Sequence, residues 1–190
     1  WRPVAAAPRP RAAPAKPRAE RADALYQQAL EQLRQNTIDT RRVAIDRLEE
    51  ATQIAPGNPQ YELTLARTYY QAGFVRLSRE RFERVRRLAP GDAEARLGLG
   101  QVWRRDWLKY LERSSLDLAV ENLRAAVRIQ PSYCDAWLLL VPLLVEQNNF
   151  SAAAENVRMF ATRSLLPVSI LRVRSTGPTT TTQLTPDGSP

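Results

Sequence analysis

Few side chains in this chain of 190 residues could take part in catalysis or metal binding. The chain contains no histidine and a single cysteine, Cys134, which excludes imidazole acid–base catalysis, Cys/His zinc sites and an internal disulfide. The seven glycines form no phosphate-binding loop, and the pair Gly98 and Gly100 falls inside an apolar helical pattern, where it indicates close helix packing. We therefore expect no catalytic residues, no metal and no cofactor, and predict that the chain is not an enzyme.

A run of arginines is the largest group of like charges in the middle of the chain. Its members are Arg76, Arg79, Arg81, Arg84, Arg86 and Arg87. Glutamates precede two of them by one helical turn, as Glu80–Arg84 and Glu83–Arg87, and this spacing allows ion pairs on a helix surface. We therefore favour a solvated, ion-paired face. The alternative is a surface that binds nucleic acid or another polyanion, but only Phe82 supplies an aromatic ring within the run.

The net charge of +8 is carried mainly by the two ends of the chain. Residues 1–20 contribute +4 and residues 164–190 contribute +1, which leaves 21 basic and 18 acidic side chains between them. Such a balance suits a helical surface in water better than a dedicated nucleic-acid binder. The longest apolar run, residues 137–145, has nine residues, about half of the roughly 18 that a membrane span requires. No membrane span is predicted.

Composition divides the chain into a central domain and two flanking segments. Residues 1–20 alternate proline, alanine and arginine, which predicts a semi-extended linker. Residues 21–163 carry the apolar pattern of a folded domain, residues 164–175 are a possible capping segment, and residues 176–190 form a predicted disordered tail. Because the chain begins with Trp1 rather than methionine, we expect it to be a processed or truncated product, and its sequence does not distinguish periplasm from cytoplasm.

The central domain repeats. Pro56, Pro90 and Pro131 each follow an apolar helical stretch, at spacings of 34 and 41 residues. Between Pro56 and Pro90, large and small side chains alternate at helical spacing, at Leu65, Ala66, Tyr69, Ser78, Phe82 and Val85. The same pattern returns between Pro90 and Pro131, at Leu99, Gly100, Trp103, Ala119, Leu123 and Ala126. This pattern resembles the tetratricopeptide repeat (TPR) family, departing from it in the second unit only at Glu62, where a bulky apolar residue is usual.

The resemblance implies an all-α, right-handed α-solenoid of about eight helices in antiparallel pairs. Its four units are predicted at about residues 22–56, 57–90, 91–131 and 132–163. Seven extra residues around 106–113 are expected to form a loop with a short extra helical turn. The segment Arg-Asp-Trp-Leu-Lys-Tyr-Leu in this insert also resembles repeat regions of bacterial proteins that carry a downstream GWxTD domain, although that motif is absent here.

Side chains that can cap helices mark several expected boundaries. Asn58 and Asp92 are predicted N-caps for the first helices of the second and third units. Ser114 and Ser132, each followed three residues later by aspartate, resemble capping boxes. These signals predict helix starts close to residues 59, 93, 115 and 133.

By the same resemblance, the first helices of the units line a concave groove that holds a peptide or partner segment. The predicted groove residues are Leu63, Arg67, Tyr70, Leu97, Gln101, Arg104, Arg105, Leu138, Leu139 and Pro142. They predict an arginine-rich centre for acidic groups and an apolar end. Members of the family that bind chaperone tails use a Lys/Asn clamp, but Leu63 and Arg67 stand where that clamp begins, so that specificity is not carried over. The predicted function is a non-catalytic protein-interaction module, with polyanion binding or a regulatory role in a larger protein as alternatives.

Residues 137–145 are apolar on all sides, unlike the surface helix of a repeat. A helix of this kind needs cover on both faces. Residues 165–173, which are apolar and β-branched, could supply it, as could a further domain or a partner.

Overall fold

The computed structural model describes residues 17–164, with side chains as far as Thr162. Within this range the chain forms eight α-helices and no strand. They are α1 (Arg18–Gln35), α2 (Ile38–Ile54), α3 (Pro59–Ala72), α4 (Val75–Leu88), α5 (Ala93–Tyr110), α6 (Arg113–Ile129), α7 (Cys134–Glu146) and α8 (Phe150–Ser164). The expectations for most of the linker, the capping segment and the tail lie outside the described residues.

The helices stack in chain order as four helix pairs. Every helix packs against its neighbours in sequence, and connections of two to four residues turn the chain back each time. In addition, α3 contacts α5, and α5 contacts α7. The odd-numbered helices therefore run side by side along one face of the stack, and this is the inner face of the predicted solenoid.

Three apolar clusters form a continuous core along the stack. The first joins α1, α2 and α3 around Leu48 and Leu65, the second joins α3, α4 and α5 around Phe82 and Leu99, and the third joins α5 to α8 around Trp137. Each side chain named here is at most 2% exposed. Core is thus buried between successive pairs, as a helical repeat requires.

Small residues at the predicted positions allow the helices to approach closely. A Cβ atom on Gly100 would lie 2.6 Å from Cγ of Leu123, and the hydroxyl of Ser78 donates to the carbonyl of Ala66 at 2.9 Å. Side chains larger than these would separate α5 from α6 and α3 from α4. The all-α repeat expected from the sequence is confirmed.

The predicted N-caps are correct for two helices and wrong for two others. Asn58 accepts hydrogen bonds from the backbone amides of residues 60 and 61, and Asp92 accepts one from Ala95. Neither Ser114 nor Ser132 caps a helix, since α6 already begins at Arg113 and α7 begins only at Cys134, after the turn that follows Pro131. The capping box of the described helices instead lies at the start of α2, where Thr37 and Thr40 bond reciprocally, and the sequence analysis missed it.

The inserted residues of the third unit do not form a loop. They extend α5 without a break to Tyr110, and Leu111 ends the helix in the left-handed conformation, with φ of 57°. No glycine or proline lies between residues 101 and 113, and the segment is rich in arginine, leucine and lysine, which favour helix. The expectation of a loop was therefore wrong, whereas the extra residues are indeed helical.

Candidate partner-binding cleft

A cleft of about 280 Å³ opens on the inner face, where α3, α5 and the start of α7 meet. Helical spacing brings residues 67, 70 and 71 of α3 to the same side as residues 94, 97, 98 and 101 of α5. The complete lining consists of Arg67, Tyr70, Gln71, Phe82, Glu94, Leu97, Gly98, Gln101, Tyr133 and Asp135.

Four residues of the predicted groove line this cleft together: Arg67, Tyr70, Leu97 and Gln101. Of these, Leu97 is buried and contributes to the apolar core, whereas Arg67 is exposed. The cleft therefore offers a polar rim above an apolar floor.

The remaining predicted residues lie beside the cleft or beyond it. Arg105 borders it, because its guanidinium donates to the carbonyl of Tyr70 at 3.3 Å and lies 5.5 Å from the centre of that ring. Leu63 and Leu139 are half-buried and pack against the core, and Arg104 is also half-buried. The exposed members at the other end are Leu138 and Pro142.

The charge of the cleft differs from the arginine-only centre expected from the sequence. A guanidinium nitrogen of Arg67 lies 2.8 Å from a carboxylate oxygen of Glu94, and Asp135 adds a second carboxylate to the lining. Burial, followed by the negative charges of Glu94 and Asp135, raises the pKa of the Tyr133 phenol above its ordinary value. The cleft is thus a mixed-charge site with one cation at its rim.

Gly98 and Phe82 form the floor of the cleft. The Phe82 ring is 1% exposed and lies directly against the backbone of α5, where a Cβ atom on Gly98 would come within 2.3 Å of it. The pair Gly98 and Gly100 therefore serves helix packing, and Gly98 also gives the cleft its depth. Sequence reasoning missed Glu94, Tyr133 and Asp135, although each lies within a few residues of Pro90 or Pro131, where a new first helix begins.

Three of the six arginines of α4 pair with carboxylates on neighbouring helices. Glu62 of α3 is completely buried between two of them: a guanidinium nitrogen of Arg81 lies 3.2 Å from Oε2, and Nε of Arg84 lies 3.0 Å from Oε1 without the alignment of a hydrogen bond. Arg79 pairs with Asp106 at 3.2 Å and stacks over the ring of Trp103 at 4.6 Å. These contacts explain why an acid replaces the usual bulky residue at position 62.

Shorter-range pairs occupy two further arginines of the run. Arg76 pairs with Glu80 at 3.6 Å and Arg86 with Glu83 at 2.6 Å. The predicted partners of these glutamates, Arg84 and Arg87, were therefore wrong, because Arg84 turns towards Glu62 instead. Five of the six arginines on α4 are in ion pairs, as the solvated-face interpretation predicts.

Among residues 17–164, no group of three acidic or cysteine side chains is placed to hold a metal ion. None of the helices in that range is long and apolar enough to cross a bilayer.

Comparison with known proteins finds similar solved structures but no similar sequence family. No family model and no curated protein matches the sequence. Among solved structures, MamA 41-end from Desulfovibrio magneticus RS-1 is 18% identical, with 74% of each chain covered and a TM-score of 0.62. TTC0263, a thermophilic TPR protein of Thermus thermophilus, is 16% identical, with 75% of this chain and 74% of that chain covered and a TM-score of 0.61.

The first TPR of Spaghetti (RPAP3), solved bound to the HSP90 peptide SRMEEVD, is also similar. It is 16% identical, the match covers 68% of this chain and 95% of that one, and the TM-score is 0.60. The structural neighbours are thus TPR proteins, and the resemblance drawn from the sequence pattern is confirmed at the level of the fold.

Proposed function

We propose that this TPR-like array is a protein-interaction module that holds an extended segment of a partner protein along the face formed by α3, α5 and α7. The observation that carries the proposal is the cleft at the junction of these helices, which combines exposed polar side chains with an apolar floor. In repeat folds the concave side offers such an extended binding surface.

The cleft residues define the chemistry of the segment. Gln71 and Gln101 each carry an amide that can both donate to and accept from an extended backbone. Arg104 and Arg105 offer cations to acidic side chains, while Leu138 and Leu139 offer apolar surface further along the face. The segment that fits therefore has a charged part and an apolar part.

Arg67 is available to such a segment in spite of its ion pair. Its side chain is 55% exposed and that of Glu94 is 36% exposed, and ion pairs in water contribute at most about 1 kcal/mol. An acidic group of the partner can therefore replace Glu94, or a basic group of the partner can pair with Glu94 and Asp135. A mixed-charge segment is favoured over a purely acidic one.

One neighbour supports the general mode of binding. The RPAP3 domain was solved with an HSP90 peptide whose sequence, SRMEEVD, mixes a basic residue with several acidic ones. We do not propose the same ligand here, since Leu63 and Arg67 stand where the clamp for a chaperone tail would begin.

The alternative of polyanion binding through α4 has less support, because five of its six arginines are already paired with carboxylates of α3, α4 or α5. The pairs are Arg81 and Arg84 with Glu62, Arg76 with Glu80, Arg86 with Glu83 and Arg79 with Asp106. A phosphate backbone would compete with a carboxylate for nearly every cation on this helix.

The proposal is tested by selecting peptides from a random display library on the full chain, and then measuring the affinity of the selected peptide for variants. Gln71→Trp fills the cleft from an exposed position, so we expect the affinity for the peptide to fall at least tenfold. The triple variant Arg67→Glu, Arg104→Glu, Arg105→Glu reverses the cations of the groove and should bind the peptide more weakly than Gln71→Trp does.

Two controls separate the groove from other effects. Gln53→Trp places the same bulk at an exposed position of α2, and Arg87→Glu, Arg128→Glu, Arg158→Glu removes the same charge from exposed positions outside the cleft. Both should bind as the native chain does. Equal losses in the groove and control variants, or a library that yields no binding peptide, would refute the proposal.

A further inference from the structure

The turns that join the two helices of each pair lie along one edge of the stack. These hairpin turns follow α1, α3, α5 and α7, which run side by side, so their ends meet at the same edge. We call this edge, formed by residues 36–38, 73–74, 111–112 and 147–149 with the first residue of α8, the turn edge.

Successive turns of the turn edge are joined by shared cavities and by one hydrogen bond. Ile38 and Phe74 line one cavity of about 590 Å³, and Arg76 and Tyr110 line another of about 390 Å³. The guanidinium of Arg113 reaches the carbonyl oxygen of Gln147 at 3.5 Å. Each hairpin turn is thus next to the one that follows it in the chain.

Every turn on this edge presents a large apolar side chain to solvent. Ile38 is 83% exposed, Phe74 52%, Leu111 74% and Phe150 62%. Leu108 and Tyr110, at the end of the α5 extension, add further exposed apolar surface. The opposite edge differs in degree. Its connections at residues 55–58, 89–92 and 130–133 are built from proline, glycine and polar residues around an occasional alanine or half-buried tyrosine, and the apolar residues beside them, Leu88 and Ile129, are only 42% and 40% exposed.

Leu111 is unusual in its backbone as well as in its exposure. It adopts a left-handed conformation, with φ of 57°, at a position where glycine or asparagine is the ordinary choice; Asn36, Gly73 and Asn148 occupy the corresponding conformation in the other three turns. A bulky apolar side chain is therefore kept at the tip of this hairpin in spite of a backbone that disfavours it.

Charge distinguishes the two edges in the same way. Residues 31–42, 72–80, 105–114 and 145–151 around the turns carry eight basic and six acidic side chains, whereas residues 53–60, 87–94 and 128–135 on the opposite edge carry two basic and three acidic ones. Several cations of the turn edge contact neutral groups, namely Arg105 at the Tyr70 carbonyl, Arg113 at the Gln147 carbonyl and Lys109 over the Tyr110 ring. Their charge remains available to an anionic surface.

We infer that the turn edge docks on an anionic lipid bilayer, with the four apolar tips entering the headgroup boundary and the surrounding arginines and lysine facing lipid phosphates. The apolar tips are separated from one another on successive hairpins. A fluid bilayer can accommodate each separated tip, whereas a rigid protein pocket would have to match their spacing. Apolar burial and attraction between basic side chains and anionic lipid act together in such binding. The inference does not rest on the proposed groove, which lies on a different face and shares only Arg105 with the turn edge.

The test is co-sedimentation of the full chain with vesicles of phosphatidylcholine alone and of phosphatidylcholine with about 30% phosphatidylglycerol, the anionic lipid that supplies the attraction. We expect binding to the anionic vesicles to exceed binding to the neutral ones. The variant Ile38→Ser, Leu111→Asn, Phe150→Ser should bind the anionic vesicles roughly 100-fold more weakly, because it removes three inserted side chains at roughly fivefold each. Phe74 is retained because its ring packs edge-on against Tyr69.

A matched control accounts for the basic N-terminal segment, which could bind anionic lipid by itself. Leu88→Ser, Ile129→Ser, Val157→Ser removes three apolar side chains that are 40–49% exposed and lie away from the turn edge, and it leaves residues 1–20 unchanged. It should bind as the native chain does. The inference is overturned if the native chain does not bind anionic vesicles, or if the two triple variants bind those vesicles equally. It is also overturned if the tips prove to bind an acidic protein and no lipid.

Discussion

Gly98 determines both how closely α4 and α5 pack and how deep the cleft is. Its missing side chain leaves room for the ring of Phe82, which is buried beneath the cleft residues Leu97 and Gln101. The same atoms therefore support the stability of the second and third units and the shape of the candidate site. A substitution here should affect both properties together.

Gly98→Ala should destabilise the protein. The added Cβ atom would lie 2.3 Å from the Phe82 ring, and overpacking of this kind costs about 1–3 kcal/mol, more than the gain of up to about 1 kcal/mol from the better helix former. Urea unfolding of the full chain measures the difference. Gly91→Ala, where no atom lies within 4 Å of the new Cβ, should change the free energy of unfolding by less than about 0.5 kcal/mol.

Tyr61 makes the stability of the fold depend on pH in the alkaline range. Burial, followed by the hydrogen bond to Asp23 and the charge of that carboxylate, raises the pKa of Tyr61 from 10.0 to about 12. Between these values the folded protein binds the proton more tightly than the unfolded chain does, so the free energy of unfolding should fall as pH rises from 10 to 12.

Denaturant titrations at several pH values test this dependence. In Tyr61→Phe the free energy of unfolding should decline less steeply above about pH 10. Part of the decline should remain, because burial and Glu49 still raise the pKa of Tyr69. Below about pH 9 the variant should be less stable by about 1 kcal/mol, the contribution of one hydrogen bond. An unchanged slope above about pH 10 would show that Tyr61 is not protected from ionisation by the fold.

At the scale of elements, α3 and α4 are joined by a buried charge. Glu62 projects from α3 into the interface, and Arg81 and Arg84 approach it from one face of α4. Because the arginine side chains are 29% and 40% exposed while Glu62 is 0% exposed, the carboxylate alone bears the full cost of burial. The register of α4 against α3 depends on satisfying it.

Glu62→Gln should reduce the free energy of unfolding by about 2 kcal/mol or more, because it leaves a neutral amide where two guanidinium groups converge. Thermal and urea unfolding provide the measurement. Glu80→Gln removes an exposed pair with Arg76 on the same helix and should cost less than about 1 kcal/mol. Similar losses of unfolding free energy in the two variants would mean that the buried carboxylate contributes no more to stability than an exposed ion pair does.

Much of this architecture can be predicted from the sequence because its signals are local. Helices α2, α4 and α6 end two residues before Pro56, Pro90 and Pro131, as the proline spacing indicates. The acid at position 62 was visible as a departure from the pattern, but its partners lie 19 and 22 residues later and depend on how two helices align. The caps of α6 and α7 were mispredicted because a serine three residues before an aspartate also occurs by chance near a turn.

The cleft was predictable in part for the same reason. Arg67, Tyr70, Leu97 and Gln101 follow from helical spacing within α3 and α5. Glu94 lies on the same face of α5 as Leu97 and Gln101 and could have been predicted with them, whereas Asp135 required knowledge of how the start of α7 meets α5, which no periodicity within one helix contains.

At the scale of the whole molecule, the stack presents three surfaces with different chemistry. The face of α3, α5 and α7 holds a mixed-charge cleft, α4 carries arginines already engaged with carboxylates, and the turn edge carries exposed apolar tips among cations. Because the cleft and the turn edge share only Arg105, which lies between them, a partner segment and a bilayer could be bound at the same time. The array would then hold a partner beside a membrane surface.

The most direct test of the proposed function is hydrogen–deuterium exchange on the full chain with and without a selected peptide. The account predicts slower exchange in α3 around residues 67–71, in α5 around residues 97–101 and at the start of α7, with α2, α4 and α6 unchanged. Protection confined to α4 or to the turn edge, with no change along α3 and α5, would contradict it.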